Sequence, residues 1–251
     1  MEKEHFEFTE EEIPYSILEK FGLTQEMIED LPDESYHDIL RGNRSPVLPV
    51  TVKDADGTVV SARSRIRIVK DKDGSVDVVF YPRMKYCDLE KFSESERMLM
   101  RKGQAIISEF PEGRSVKSFI QIDRETNQVM CVPTPVIGRN LSRLADKYHL
   151  DAPDLSFLQK GEPVLIRDNG ELVTAGIDLT EKTGIRIERG DTIMKWGRGS
   201  EAGMDRFSFG IYGCWVRNDA GDLNYVREED YTDEILKAQE RAVERNAGMK
   251  R

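Results

Sequence analysis

The first side chains that suggest a chemistry are three arginines on a predicted strand. Arg63, Arg65 and Arg67 occupy alternate positions of a β-branched and apolar stretch. Alternate residues of a strand lie on one face, so the three guanidinium groups share a side while Ile66 and Ile68 take the other. A row of this kind fits successive phosphates of a nucleic-acid backbone. The alternative is the solvent face of a sheet that is covered on one side only.

A second basic row occurs on a predicted helix over residues 138–148. Arg139, Arg143 and Lys147 follow one another at intervals of four residues and therefore share the outer side of that helix. We predict that both rows bind nucleic acid through phosphates, or bind a protein that handles nucleic acid.

Catalytic and metal-binding patterns are missing from the sequence. His5, His37 and His149 have no motif partner, and the three cysteines are widely separated without a C-x-x-C pair. The aspartates of the turn Asp54-Ala55-Asp56-Gly57 lack the closing glutamate and the helix pair of a calcium-binding EF-hand. We therefore expect neither an enzyme, nor a cofactor, nor a metal ion.

The acidic charge is concentrated at the N-terminus. The net charge is −10, and residues 1–40 contain 13 acids and 2 bases against 34 acids and 35 bases in the remainder. Such asymmetry is typical of an acidic interaction segment or of a shield over a basic surface; a plainly solvated arm is the alternative. Residues 1–12 are predicted to be mobile, with order beginning at Ile13-Pro14.

No apolar run reaches the length of about 18 residues that a membrane span requires. The first seven residues are too acidic for a signal peptide. We expect a cytoplasmic protein without a membrane partner.

The elements that position the basic rows recur along the chain. Three helix-like runs end in a basic residue and a glycine, and turn-punctuated strands follow each of them. These junctions are Leu40-Arg41-Gly42, Arg101-Lys102-Gly103 and Gln159-Lys160-Gly161. The pattern predicts an α+β fold in which helix-plus-antiparallel-meander units repeat.

The predicted organisation has three segments. Residues 1–42 form an acidic arm and a short-helix module, residues 43–196 form three repeated meander units, and residues 197–251 form a flexible loop, a hairpin and a C-terminal helix. The hairpin is predicted to pair Phe207–Val216 with Leu223–Val226 across a turn.

Several stretches resemble families of unknown function. Ile13–Leu23 and Tyr36–Gly42 resemble an uncharacterised N-terminal domain of Bacteroidetes proteins. A likeness to a second such domain rests on four further stretches. These are Phe92–Pro133, Pro135–Leu141, Gly176–Leu179 and Phe209–Val216. The resemblance implies a setting on conjugative transposons, beside topoisomerase or DNA-processing modules, and it implies no catalytic residue.

Together these features favour a non-catalytic accessory protein of a mobile genetic element that binds nucleic acid or a DNA-processing enzyme. The alternative is a protein-interaction adaptor that docks a partner through its acidic N-terminal helices. Salt dependence separates the two, because phosphate contacts lose affinity steeply as salt rises.

Overall fold

A computed structural model describes residues 6–53, 56–109, 116–198 and 205–248. His5 and most of the predicted loop over residues 197–203 lie outside these ranges, as do parts of the turns after β1 and β4 defined below. The chain forms two compact units, the first built from Met1–Pro82 with Gly203–Arg251 and the second from Arg83–Ala202. The first meander therefore belongs to the same unit as the C-terminal hairpin. The predicted segments had instead placed it with the other two meanders, in residues 43–196.

The described residues form an α+β fold, as the sequence predicts. The α-helices are α1 (Tyr15–Leu18), α2 (Gln25–Glu29), α3 (Asp33–Leu40), α4 (Glu94–Arg101), α5 (Thr134–Tyr148), α6 (Ala152–Gln159) and α7 (Asp233–Gly248). The strands are β1 (Leu48–Lys53), β2 (Val59–Lys70), β3 (Val76–Pro82), β4 (Ile106–Glu109), β5 (Lys117–Asp123), β6 (Gln128–Pro133), β7 (Val164–Asp168), β8 (Glu171–Ile177), β9 (Ile185–Arg189), β10 (Phe207–Phe209), β11 (Gly213–Arg217) and β12 (Leu223–Arg227).

The strands form four three-stranded sheets, each an antiparallel meander in chain order. The three meanders predicted from the repeat are therefore confirmed as antiparallel. The predicted C-terminal hairpin is present as β11 and β12, and β10 extends it to a fourth three-stranded sheet.

The three helix ends repeat one local geometry. Gly42, Gly103 and Gly161 all have positive φ, at +73°, +80° and +85°. The residue after each glycine donates its N–H to a carbonyl five positions earlier, as Asn43 does to Asp38 at 2.8 Å. This is the Schellman end of a helix, in which glycine accepts the left-handed conformation at little cost. Because the motif is local, three short sequences specify three equivalent turns from helix into strand.

The core of the first unit lies between its helices and both of its sheets. The inward face of β2 contributes Ile66 and Ile68, and β11 contributes Trp215, all fully buried. Helix residues such as Leu18 and Ile28 pack in the same cluster. A complete Ile or Leu burial stabilises a fold by about 1.5–3 kcal/mol, so this cluster is the main support of the unit.

Order begins earlier than predicted. Phe8 is 1% exposed and belongs to the core of the first unit, and its backbone N–H bonds the Leu40 carbonyl at 3.0 Å. The side chain of Glu12 pairs with Lys70 at 2.7 Å. The prediction that residues 1–12 are mobile is wrong for residues 6–12. Phe6 and Phe8 pack on the core of the first unit, and the bonds to Leu40 and Lys70 fix the segment further.

The core of the second unit packs on one side of α5. Ile137, Leu141 and Leu144 of this helix are buried among residues of the β4–β6 and β7–β9 sheets. Buried Gln121 on β5 links those two sheets: its amide donates to the Gly103 carbonyl at 2.9 Å, and its oxygen accepts the Leu179 N–H at 2.7 Å. A second, smaller cluster of apolar residues packs around Met100 and Ile120.

Candidate interaction surfaces

The strand arginines share one face of β2, as their spacing predicts, but they point at other parts of the first unit. All three are only partly exposed. Arg63 donates through Nη1 to the Leu223 carbonyl and through Nη2 to the Asn224 side chain at 2.6 Å. This side chain therefore joins β2 to the start of β12.

The other two strand arginines hold the connection between α3 and β1. Arg65 donates to the Ser45 carbonyl at 2.7 Å, and Arg67 donates to the Gly42 carbonyl at 2.8 Å. A hydrogen bond with a charged donor contributes about 1.5–3 kcal/mol to the stability of a fold. The guanidinium groups thus have structural partners in this fold, and a contact with phosphate stays a prediction.

The helix row has a different setting. Arg139, Arg143 and Lys147 are exposed on α5, opposite the side that packs in the core of the second unit. Lys147 lies with its Nζ 5.3 Å from the ring centre of Tyr148. Among the described residues no ion pair involves Arg139 or Arg143, so this surface presents positive charge to solvent.

An acidic surface covers the helical module of the first unit. Residues 6–40 contain 11 acids and one base. Seven of these acids are exposed: Glu7, Glu10, Glu11, Glu19, Glu29, Asp33 and Glu34. We call this set the acidic helical surface.

Two half-buried tyrosines lie within the acidic helical surface. Burial raises the pKa of Tyr15, and Tyr36, Glu29 and Glu10 raise it further. The pKa of Tyr36 is raised by burial first and then by Glu10 and Glu29. Glu10 and Glu29 therefore lie close enough to act electrostatically on both tyrosines.

The buried carboxylate of Asp30, just after α2, is the most elaborate polar site of the first unit. Asp30 is 4% exposed. It accepts the Ile211 N–H at 2.6 Å, the Tyr212 N–H at 3.0 and 3.2 Å, and the Tyr225 hydroxyl at 2.5 Å. Three donors from the C-terminal sheet thus converge on one carboxylate of the helical module. We call this arrangement the Asp30 clamp.

The Asp30 clamp explains why Phe207–Val216 is divided into β10 and β11 and is not the one continuous strand that the sequence predicts. The chain turns at residues 210–212, between β10 and β11, where the N–H groups of Ile211 and Tyr212 bond Asp30 rather than a neighbouring strand. The Gly210 N–H closes the turn on the Gly213 carbonyl at 2.9 Å. A side chain at Gly210 would collide with the Asp30 carboxylate, and one at Gly213 would meet Tyr225. Two glycines three positions apart in a strand-like run are the sequence signal for this close approach.

Titratable groups around the Asp30 clamp favour their neutral forms. Burial raises the pKa of the Cys214 thiol to about 11, with a further contribution from Asp30. Burial also raises the pKa of Tyr231 to about 12. The pKa of Tyr225 is raised by burial first and then by its hydrogen bond to Asp30. A thiol and phenols in this state are poor nucleophiles at neutral pH.

The second unit has its own buried charge. Arg186 is 6% exposed, pairs with Asp178 at 3.3 Å and Glu188 at 2.9 Å, and lies 4.2 Å from the ring centre of Trp196. Trp196 in turn covers Gly176, where a side chain would collide with the indole. The group fastens the segment after β9 onto its own sheet, since Arg186 also donates to the Trp196 carbonyl at 2.7 Å.

The remaining candidates for chemistry do not assemble. His37 packs on Phe6 with ring centres 5.1 Å apart, and His149 is the exposed left-handed residue at the end of α5. Within the described part of the chain, no three His, Cys, Asp or Glu side chains are placed to hold a metal ion. No helix of the described residues has the length and apolar character to cross a membrane.

Part of the chain matches a protein family. Residues 8–91 are similar to a family described as "Protein of unknown function (DUF4099)". The match begins at the buried Phe8 and includes the helical module and the β1-β2-β3 sheet, with both Asp30 and the strand arginines. Searches of curated proteins and of solved structures returned no match.

Proposed function

We propose that this chain is a non-catalytic accessory protein that binds a basic partner protein through the acidic helical surface. The observation that supports the proposal is the exposure of seven carboxylates on a folded, anchored module. An ordered array of like charges steers an oppositely charged partner and selects against others. The anchoring of residues 6–12 favours a docking surface over a loose arm.

The partner in this proposal is a DNA-processing protein. Proteins that neutralise phosphates expose clusters of Lys and Arg, which complement the acidic helical surface. The resemblance to families found on conjugative transposons supports a mobile genetic element as the setting, in the cytoplasm. The proposal assigns no catalytic residue and no cofactor to the chain.

The charge of the acidic helical surface is tested with a fluorescent lysine-rich peptide. The variant Glu10→Gln, Glu11→Gln, Glu29→Gln removes three exposed charges around the two tyrosines. We expect its affinity to fall roughly three- to tenfold at low salt, since exposed charge pairs contribute about 0.2–1 kcal/mol each.

The matched control changes three exposed glutamates of the second unit, Glu90→Gln, Glu162→Gln and Glu171→Gln. It loses the same net charge and is expected to keep its affinity within about twofold. Equal losses in both triple variants would mean that only net charge matters, and the proposal would then be wrong.

A second candidate function is nucleic-acid binding through α5. The exposure of Arg139, Arg143 and Lys147 favours it, because these side chains project from a rigid helix. Electrophoretic assays with duplex DNA at two salt concentrations test it, since phosphate contacts weaken steeply with salt.

A further inference from the structure

The turn between β10 and β11 exposes side chains that the fold does not need. Ile211 is 83% exposed and Tyr212 is 44% exposed, although the first three residues of β11, directly after them, are buried. Neighbouring Trp215 and Leu223 fill the core of the first unit. An aliphatic side chain left this far in solvent contributes almost nothing to folding.

The same turn has a fixed backbone. The N–H groups of Ile211 and Tyr212 both donate to the Asp30 carboxylate. The Tyr212 carbonyl accepts the Glu228 N–H at 3.3 Å. Burial of a carboxylate is costly unless hydrogen bonds compensate it, so the bonds of the Asp30 clamp hold the turn in one position. An apolar side chain on a preorganised backbone loses little entropy on binding, which is the property of an interface anchor.

The surroundings of the turn are acidic. The three residues Glu228–Asp230 form a 3-10 helical turn next to it, and all are exposed. Glu26, on α2, lies near the sheet through its pair with Arg227 at 3.5 Å. Glu29 lies one helical turn away from Glu26 on the same helix, so α2 extends the acidic helical surface to this turn.

We propose that Ile211 and Tyr212 are the apolar anchor of the acidic helical surface, and that they insert into an apolar pocket on a basic protein. This inference rests on the proposed function, because it names the contact that adds specificity to the charge attraction. The partner it requires carries Lys and Arg around exposed apolar side chains. A lysine-rich segment without apolar residues would bind the acidic helical surface but would make no apolar contact with Ile211 and Tyr212.

The test uses the full chain and two fluorescent helical peptides that carry the same number of lysines. One peptide has leucines along one face, and the other has serines at those positions. We expect the wild-type chain to bind the leucine peptide about tenfold more tightly, the effect of burying most of one large aliphatic side chain. The variant Ile211→Ser should reduce that ratio to about one while leaving affinity for the serine peptide unchanged.

The control variant is Met194→Ser, which removes a 90% exposed apolar side chain of the second unit. It should keep the tenfold preference. Thermal unfolding of both variants verifies that they remain folded, as expected for changes at exposed positions.

The outcomes separate the two proposals. If Ile211→Ser retains the leucine preference, or if the wild type shows none, the anchor is overturned while the acidic helical surface can still bind both peptides. If the triple glutamine variant at Glu10, Glu11 and Glu29 behaves like its control, the proposed function fails whatever the leucine preference.

Discussion

The two basic rows have the same origin in the sequence and opposite positions in the structure. Both were predicted from spacing alone, at two residues on a strand and at four on a helix. The row on β2 is directed into the first unit, where its guanidinium groups bond carbonyls of Gly42, Ser45 and Leu223. The row on α5 faces solvent in the second unit.

The residue spacing of a basic row therefore defines which face of a strand or helix it occupies, but not which other segments pack on that face. The helix row lies opposite a single buried stripe, so its environment follows from the periodicity of one element. The strand row bonds segments that are remote in sequence, at separations of 160 residues for Arg63, 20 for Arg65 and 25 for Arg67. Partners at such separations leave no local pattern.

The largest expected effect comes from removing the strand row. The variant Arg63→Gln, Arg65→Gln, Arg67→Gln should lower the free energy of unfolding of the first unit by about 2–5 kcal/mol. Each arginine donates a charged hydrogen bond to a backbone or amide oxygen, and the partial exposure of the three side chains reduces what each bond contributes. Hydrogen exchange followed by mass spectrometry measures the loss in β2 and β12 separately from the second unit. Unchanged protection would show that these bonds contribute nothing, and a phosphate-binding role would regain support.

A smaller effect is expected when the charge is kept and only the fork geometry is lost. Arg63→Lys cannot reach Leu223 and Asn224 together, and it should cost about 1–2 kcal/mol. Arg143→Lys is the matched change in the exposed row and should alter stability by less than about 0.5 kcal/mol. Urea unfolding of the two variants side by side measures the contrast, and equal costs would contradict it.

The smallest effect on stability is expected from Arg139→Gln, Arg143→Gln, Lys147→Gln, within about 0.5 kcal/mol of the wild type. If α5 contacts phosphates, the same variant should flatten the slope of log affinity against log salt for duplex DNA by about 2–3 units. Sequence preference should not change, because phosphate contacts position without reading bases. A slope equal to that of the wild type would exclude α5 as a DNA contact.

The repeated helix ends show how much of the fold was predictable. A helix that stops at a basic residue and glycine was recognised three times, and all three glycines adopt positive φ. The three antiparallel meanders of the repeat also follow from local turn chemistry, since short connections join neighbouring strands. The order of residues 6–12 was missed because nine polar or charged residues among the first twelve conceal Phe6 and Phe8 from any average over the segment.

The candidate site was only half predictable. The excess of acids that forms the acidic helical surface can be counted from the sequence, with 11 acids and one base in residues 6–40. The Asp30 clamp could not be found that way, although Gly210 and Gly213 mark an irregularity. Asp30 looks like any other acid of its segment, and the donors it meets lie more than 180 residues further on.

Four features can be read from the local sequence: the α+β class, the three helix-to-strand junctions, the faces on which the two basic rows lie and the acidity of the helical module. Each of these depends on backbone preferences or side-chain periodicity within a few residues. The internal bonding of the strand arginines, the burial of Asp30 and the exposure of Ile211 emerge from the packing of the whole first unit. Those outcomes depend on which distant segments pack together, and the burial of a charge depends on whether distant donors arrive to compensate it.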